Sequence, residues 1–382
     1  MTFEIPETGT FALRVWRPDV GGPSICRIEN GKLVDVTSTA IPTMQALLEH
    51  DDPAMTLRSA PGVAFASLTA VAQNSCENPD PAAPYLLAPN DLQAVKACGV
   101  TFVSSMLERV IEEQAKGDSA RAEAVRERCT AILGDSLRNV KPGSEQAAAL
   151  KSALIAEGVW SQYLEVGIGP DAEVFTKSQP LSAVGSGASV GLHPVSTWNN
   201  PEPEVVLAVD SLGIVKGATL GNDVNLRDVE GRSALLLGKA KDNNGSCSIG
   251  PAIRLFDDSY SMEDVRRAEL KLTVTGKDGF VLNGASSMAE ISRDPLDLVR
   301  QTCGPHHQYP DGFMLFLGTL FAPTQDRDTV GGGFTHKIGD VVEIENPELG
   351  RLVNTVRLSP DCPPWTFGAS VLMRNLAQRG LI

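Results

Sequence analysis

The run Asn199-Asn200-Pro201-Glu202-Pro203-Glu204-Val205-Val206-Leu207 constrains this chain more than any other stretch. Its apolar end reads as a strand, and in a strand residues two apart point to the same face. Glu202 and Glu204 are therefore expected to present two carboxylates side by side. Two like charges that close repel and desolvate badly unless something positive stands between them. A third carboxylate, Asp223, follows inside Gly221-Asn222-Asp223-Val224-Asn225, and Lys241 follows inside Gly238-Lys239-Ala240-Lys241-Asp242. Three oxygen donors suit Mg²⁺, a hard cation that keeps waters for a substrate to displace; Mn²⁺ accepts the same ligands. The same residues have a plainer reading. Pro201 and Pro203 suit an edge strand with solvated carboxylates. Asp223 would then bond its own backbone in a turn, and Lys241 would be a surface lysine. Spacing alone leaves both readings open.

Composition narrows the partners. The chain has 382 residues, 42% apolar, enough for two domains or one large one. Its net charge of −14 disfavours nucleic acid and anionic membranes as partners. An anionic small molecule stays compatible if a metal and lysines reverse the local field. Seven scattered cysteines, an odd number with no C-x-x-C pair, argue against a disulfide framework and a zinc site and for a reducing compartment. Among five histidines the one cluster, His306-His307, reads as an exposed loop. The N-terminus Met1-Thr2-Phe3-Glu4-Ile5-Pro6-Glu7 lacks the apolar core of a signal peptide. No apolar run approaches the ~18 residues of a membrane span. A cytoplasmic protein is expected.

Patterning suggests two parts. Residues 1–85 read as a small N-terminal β-rich domain. Residues 11–16 and 24–28 alternate, and Glu29-Asn30-Gly31 signals a hairpin. Residues 43–50 read as a short helix. The cluster Asn78-Pro79-Asp80-Pro81-Ala82-Ala83-Pro84 marks the boundary. Residues 90–382 form the larger part, with a helical segment at 103–157. There Val103, Met106, Leu107, Val110 and Ile111 make an apolar stripe, with Glu108, Arg109, Glu112 and Glu113 opposite. Helices are also expected over 119–133 and 144–157, the last capped by Gly158. Strands are expected over 205–209, 270–274, 312–317 and 341–344, and a helix over 371–381. The Gly/Ser-rich loop at 182–191 has neither G-x-G-x-x-G nor a Walker lysine, which excludes those nucleotide sites.

The carboxylates, the lysine and the order of loops together resemble the fumarylacetoacetate hydrolase superfamily. The matching residues are Glu202, Glu204, Asp223, Lys241, the stretch Ser246-Cys247-Ser248-Ile249-Gly250-Pro251, Gly318-Thr319 and Gly339-Asp340-Val341. The resemblance covers roughly residues 90 to 355. Longer runs look like its sugar-acid branch, the 2-keto-3-deoxy-D-xylonate dehydratases: Trp198 through Glu204, Gly221 through Asp228, and Arg374-Asn375-Leu376-Ala377. The resemblance implies an α+β fold, with a C-terminal mixed β-roll, peripheral helices and the small N-terminal β-rich domain. It also implies a homodimer or homotetramer. The hydrolases of the superfamily use a His-Glu pair on a lid helix, whereas Gly99 through Glu108 here contain no histidine.

What the resemblance implies for activity is a hydro-lyase. A 2-keto acid would chelate Mg²⁺ held by Glu202, Glu204 and Asp223, which acts as a Lewis acid and stabilises the enolate formed at C3. Loss of the C4 hydroxyl then leads to 2-oxoglutarate semialdehyde. Lys241 is the leading proton-transfer or polarising residue, its pKa expected to be depressed beside a dication, or else a structural salt bridge to a metal-ligand carboxylate. Glu108 and Glu112 are candidates for the second acid/base, or else a solvated helix face. Thr319 and Ser182 are candidate substrate-binding hydroxyls, and Lys177 either binds substrate or braces the site. The competing activities are an acylpyruvate-type C–C hydrolase and a metal-binding scaffold without catalysis.

Overall fold

The computed structural model describes residues 2–116, 118, 122, 140–156, 160–321, 325–329 and 333–382. Among these, the N-terminal part supplies β1 (Phe11–Arg17), β2 (Gly22–Glu29), β3 (Lys32–Asp35), β4 (Val63–Ser67) and β5 (Tyr85–Leu86). Next come β6 (Ala94–Gly99), β7 (Glu173–Ser178), β8 (Ser189–Leu192), β9 (Pro203–Val209), β10 (Val215–Asp223) and β11 (Cys247–Leu255). The last are β12 (Glu269–Thr275), β13 (Val281–Ser287), β14 (Phe313–Phe316), β15 (Val341–Asn346) and β16 (Gly350–Leu358). Among the described residues the fold is mixed α+β, with two mixed sheets and no closed barrel. The larger sheet runs β4-β3-β2-β1-β11-β10-β9-β14-β6-β7, with β5 on β1; the smaller runs β13-β12-β15-β16-β8. In each sheet one pair is parallel, β14 with β6 and β16 with β8.

The hairpin signal is realised literally. Glu29 pairs with Lys32, and Asn30 and Gly31 between them take φ of 50° and 73°. A two-residue loop with both φ positive matches the right-handed twist of its strands. β1 also pairs with β11, so the N-terminal strands extend the sheet that carries β9 and β10.

Between the sheets lies the main core, where Val205, Leu207, Ala218, Leu220 and Leu315 meet Leu270, Leu272, Val274, Val342 and Ile344. The opposite face of the large sheet carries Val206, Ala208, Met314 and Phe316 against Met44, Leu47, Leu48 and Leu57. β9 and β14 are thus buried on both faces, which is why they read as continuous apolar runs.

The helix Val103–Ala115 packs its stripe of Met106, Val110 and Ile111 on Leu164 and Ile168 of the helix Gln162–Ile168. The helix expected over 144–157 is realised as Glu145–Ala156. The helix expected over 119–133 and its neighbour's cap at Gly158 lie outside the described residues. The C-terminal helix Ala369–Gln378 docks on the N-terminal strands through Asn375, whose amide donates to Val20 O and Gly21 O.

Candidate active site

β9 enters the sheet between β10 and β14, not at an edge. That overturns the solvated edge-strand reading: Glu202 is 5% exposed and Glu204 2%. Pro203 opens the strand, where a missing N–H is tolerated. Glu204 lies opposite Gly221, and the Asp223 N–H donates to Glu202 O at 3.0 Å. Glu202, Glu204 and Asp223 consequently share one face, with one oxygen from each within 4.8 Å of the others.

Two lysines hold the outer two carboxylates. Lys241, at the end of the short helix Leu237–Lys241, reaches Glu202 Oε2 at 2.7 Å and Asp223 Oδ2 at 3.1 Å. Lys177 of β7 has no exposed surface and lies 2.7 Å from Asp223 Oδ1. It also donates to Lys241 O at 2.7 Å and Val224 O at 3.1 Å. Lys177 therefore braces the site and does not line the space beside it. Among the described residues, Glu204 accepts only from the backbone N–H of Gly318, at 2.6 Å. Gly318 adopts φ +90°, and a Cβ there would stand 2.0 Å from Thr101 Oγ1, so glycine is required for that donor to approach.

The electrostatics follow from this arrangement. Burial raises the Glu204 carboxyl far above its ordinary value, and Asp223 and Glu202 push it further. Burial also raises Asp223, but Lys177 and Lys241 outweigh it and hold the group below its ordinary value. Burial lowers Lys241, yet Asp223, Glu202 and Glu230 outweigh it and raise the ammonium. The expected depression of Lys241 is therefore not produced by the protein's own groups: burial and Arg109 lower it, but the three carboxylates outweigh them and favour the ammonium. A cluster of all-oxygen donors, one of them pressed toward neutrality by burial and then by like charge, fits a hard divalent cation.

The facing wall is the helix Val103–Ala115. Neither Glu108 nor Glu112 is on a solvated face. Glu112 is 2% exposed and lies between Arg109 Nη1 at 2.7 Å and Arg227 Nε at 2.6 Å. Burial would raise Glu112, but the two guanidinium groups hold it below its ordinary value, which suits an ion-pair anchor and not a proton shuttle. Glu108 pairs with Arg227 Nη2 at 3.1 Å and borders the outer cleft with Thr319. Arg227 in turn stacks 4.3 Å over the Trp198 ring. Arg109 crosses to the sheet wall and meets Glu202 Oε1 at 2.5 Å.

Thr319 lines the cavity over the triad together with Gly99, Ser105, Phe175 and Glu230. Ser182 does not: its hydroxyl is shared with Ser178 and donates to Gln179 O at 2.8 Å, within its own loop. None of the five histidines borders the cavity.

Two groups escaped the sequence reading. Glu230, 3% exposed, lies 3.1 Å from Arg109 Nη1. Half-buried Glu173 on β7 packs against Gly99, where a Cβ would be 2.1 Å from Glu173 Oε2. Burial, with Glu230 adding repulsion and Arg109 opposing it, pushes Glu173 up to about 7. Lys177, Phe175 and Glu173 are alternate residues of β7, so period-two reasoning back from Lys177 was the available signal.

With this geometry in view, the similarities to known proteins are coherent. The fumarylacetoacetate (FAA) hydrolase C-terminal family profile matches residues 171–357. A protein of Haloferax volcanii named "Probable 2-keto-3-deoxyxylonate dehydratase" is 30% identical over 213 residues, covering 56% of this chain and 68% of that one. The 2-dehydro-3-deoxy-D-arabinonate dehydratase of Saccharolobus solfataricus is 30% identical over 190 residues, covering 48% of this chain and 58% of that one. Among solved structures, 2-keto-3-deoxy-D-arabinonate dehydratase complexed with magnesium and 2,5-dioxopentanoate superposes with a TM-score of 0.63 at 20% identity, covering 91% of this chain and 99% of that one. The fumarylacetoacetate hydrolase of Exiguobacterium antarcticum does so with 0.56 at 16% identity, covering the same 91% and 99%. This chain belongs to the fumarylacetoacetate hydrolase family.

Proposed function

We propose that this protein is a Mg²⁺-dependent hydro-lyase that dehydrates a 2-keto-3-deoxy-pentonate to 2-oxoglutarate semialdehyde. The observation that carries the reading is the carboxylate triad within 4.8 Å, with the Lys241 ammonium on two of its members. Both curated relatives are named for dehydration of such an acid. Their two names converge chemically. Once C2 is a ketone and C3 a methylene, C4 is the only stereocentre left, and the D-xylonate and D-arabinonate derivatives are one compound. We assign 2-keto-3-deoxy-D-xylonate as the substrate on that ground.

Mg²⁺ held by Glu202, Glu204 and Asp223, with Mn²⁺ able to replace it, would supply Lewis-acid polarisation of the 2-keto group. The chain's own residues supply the rest. Lys241, kept as an ammonium by Asp223 and Glu202, presents a proton and a positive charge toward oxygen. Glu173, packed on the cavity-lining Gly99 with its carboxyl pushed up to about 7, is the group assigned to proton exchange with carbon. One proton leaves C3, the C4 hydroxyl takes up a proton and leaves as water, and the resulting enone tautomerises to the aldehyde, C5 and its hydroxyl each giving up a hydrogen as C3 and C4 each regain one. Thr319 and the Gly318 N–H form the rim against which the acid lies. The Glu108–Arg227 and Glu112–Arg227 pairs hold the facing helix in place. No histidine beside the cavity supports dehydration over acylpyruvate hydrolysis, since the hydrolytic base is missing.

The test is an aldehyde assay with the two C4 epimers of 2-keto-3-deoxypentonate and an acylpyruvate, each with Mg²⁺ and with a chelator. Aldehyde formed from the D epimer, and lost with chelator, is the expected result. Acylpyruvate cleavage without aldehyde would replace the reading by hydrolysis, and Mg²⁺ binding without turnover of any substrate would replace it by a metal-binding scaffold.

A further inference from the structure

The space directly over the triad is about 20 Å³, room for one water and far below the hundreds of Å³ of a ligand pocket. The Arg109 guanidinium enters this space from the helix Val103–Ala115. We propose that Arg109 is a built-in counter-cation for the triad, seated on Glu202 until a metal ion takes that oxygen and then carried by Glu230 and Glu112. This positioning role rests on the reading of Glu202, Glu204 and Asp223 as metal ligands.

Both oxygens of Glu202 are occupied by cations: Lys241 on Oε2 at 2.7 Å and Arg109 on Oε1 at 2.5 Å. An incoming dication that uses Glu202 meets one of them. Lys241 is the less free to leave, because Asp223 holds it at 3.1 Å and its backbone carbonyl is held by Lys177. Arg109 is prepared to leave. Its Nη1 already lies 2.7 Å from Glu112 and 3.1 Å from Glu230, so it can release Glu202 and stay paired. A planar five-donor fork makes that exchange possible, where a point-charge lysine would have to choose. Repulsion between a bound dication and a guanidinium a few ångströms away supplies the drive.

The consequence is a link between metal and access. While Arg109 holds Glu202, it fastens the helix to the sheet wall and fills the space a keto acid needs. Release of Glu202 removes both obstacles. By reciprocity, whatever the ion does to that contact, the contact does to the ion's affinity, and couplings of this kind typically run roughly 5- to 150-fold.

The experiment is calorimetric Mg²⁺ binding to the full chain without substrate. Arg109→Gln is expected to bind Mg²⁺ about tenfold tighter than wild type, and Arg109→Lys to stay within a few-fold of wild type because it restores the competing charge. Glu230→Gln removes the alternative seat and is expected to bind severalfold weaker. In Arg109→Gln/Glu230→Gln that weakening is expected to disappear, because the two changes act through one contact. Additive effects in the double variant, or an unchanged affinity in Arg109→Gln, overturn the inference. If Arg109→Gln does not fold, unchanged affinity in Glu230→Gln overturns it equally. Glu204→Gln separates the two levels. If it binds Mg²⁺ like wild type, the triad reading falls and takes this inference with it. If it loses binding while Arg109→Gln matches wild type, only the inference falls.

Discussion

The sheet wall of the cleft gathers Glu202, Glu204 and Asp223 within 4.8 Å, whereas the helix wall interleaves Glu108 and Glu112 with Arg109 and Arg227. Both walls are buried and acidic, and they differ in how the charge is compensated. On the helix wall Glu108 and Glu112 each meet a guanidinium, so Glu112 is held ionised and serves as an anchor. On the sheet Lys177, Lys241 and Arg109 all fall on Glu202 and Asp223, and among the described residues Glu204 is left with a single backbone donor. A paired cluster stabilises a fold; an under-compensated one costs stability and persists where a ligand completes it.

The sharpest way to break this comparison is Glu204→Gln. Activity is expected to fall by on the order of 10³-fold or more as Mg²⁺ binding is lost, read by calorimetry and product assay. Metal-free stability should move the other way. Glu204 has a folded value raised above its unfolded one, so the folded state binds more protons and stability falls as pH rises through that window. The neutral amide escapes this cost, so the metal-free variant should melt no lower than wild type at pH 8. A lower melting temperature would mean that Glu204 is an ordinary structural carboxylate.

Lys241→Met is expected to retain Mg²⁺ and lose about 10³-fold in kcat. Wild-type turnover would remove Lys241 from the chemistry. Glu112→Gln is the counterpart on the helix wall and should cost about 3 kcal/mol by denaturant titration, because two buried guanidinium groups lose a partner. Its contribution has the opposite pH sense to that of Glu204. A carboxylate with a lowered folded value stabilises above its ordinary pKa of 4.5 and loses that contribution as pH falls through the folded value. Equal stability of variant and wild type at pH 7 would erase the distinction between the walls.

Glu173→Gln should lower kcat by about 10²-fold and remove an ionisation near pH 7 from the rate profile. Since its carboxyl is pushed from 4.5 to about 7, wild-type stability should decline across that interval relative to the variant. A rate profile that keeps its ionisation in the variant would assign it elsewhere.

The triad and Lys241 were legible because their chemistry is local: strand periodicity puts Glu202 and Glu204 on one face, and the order of Asp223 and Lys241 follows along the chain. Whether that face is wet or buried was not legible. It depends on β14 arriving beside β9 from far along the sequence. The contact of Arg109 with Glu202 and the place of Glu230 beside it were missed for the same reason. Each residue is an ordinary charged helical one until the helix Val103–Ala115 is laid over the sheet. Glu108 and Glu112 were found as residues but not as ion pairs, since the solvated-face alternative assumes that nothing covers the charged side of the helix. The N-terminal hairpin, by contrast, was fully local, because Asn30-Gly31 sets its own turn.

Ser182 probes the limit of reading function from composition. A serine in a Gly/Ser-rich loop near Lys177 is a reasonable hydroxyl donor to substrate by sequence. In the fold its oxygen is already used within the loop, on Ser178 and Gln179 O, and it is not among the residues bordering the cavity over the triad. Ser182→Ala should therefore leave KM and kcat within about twofold of wild type and change stability by about 1 kcal/mol, the usual net value of one partly exposed hydrogen bond. Thr319→Val is the informative partner, because Thr319 does border the cavity. It should raise KM while Ser182→Ala does not. A larger KM effect at Ser182 than at Thr319 would show that the substrate approaches from the loop side, and the cleft between sheet and helix would no longer be the place where the acid lies.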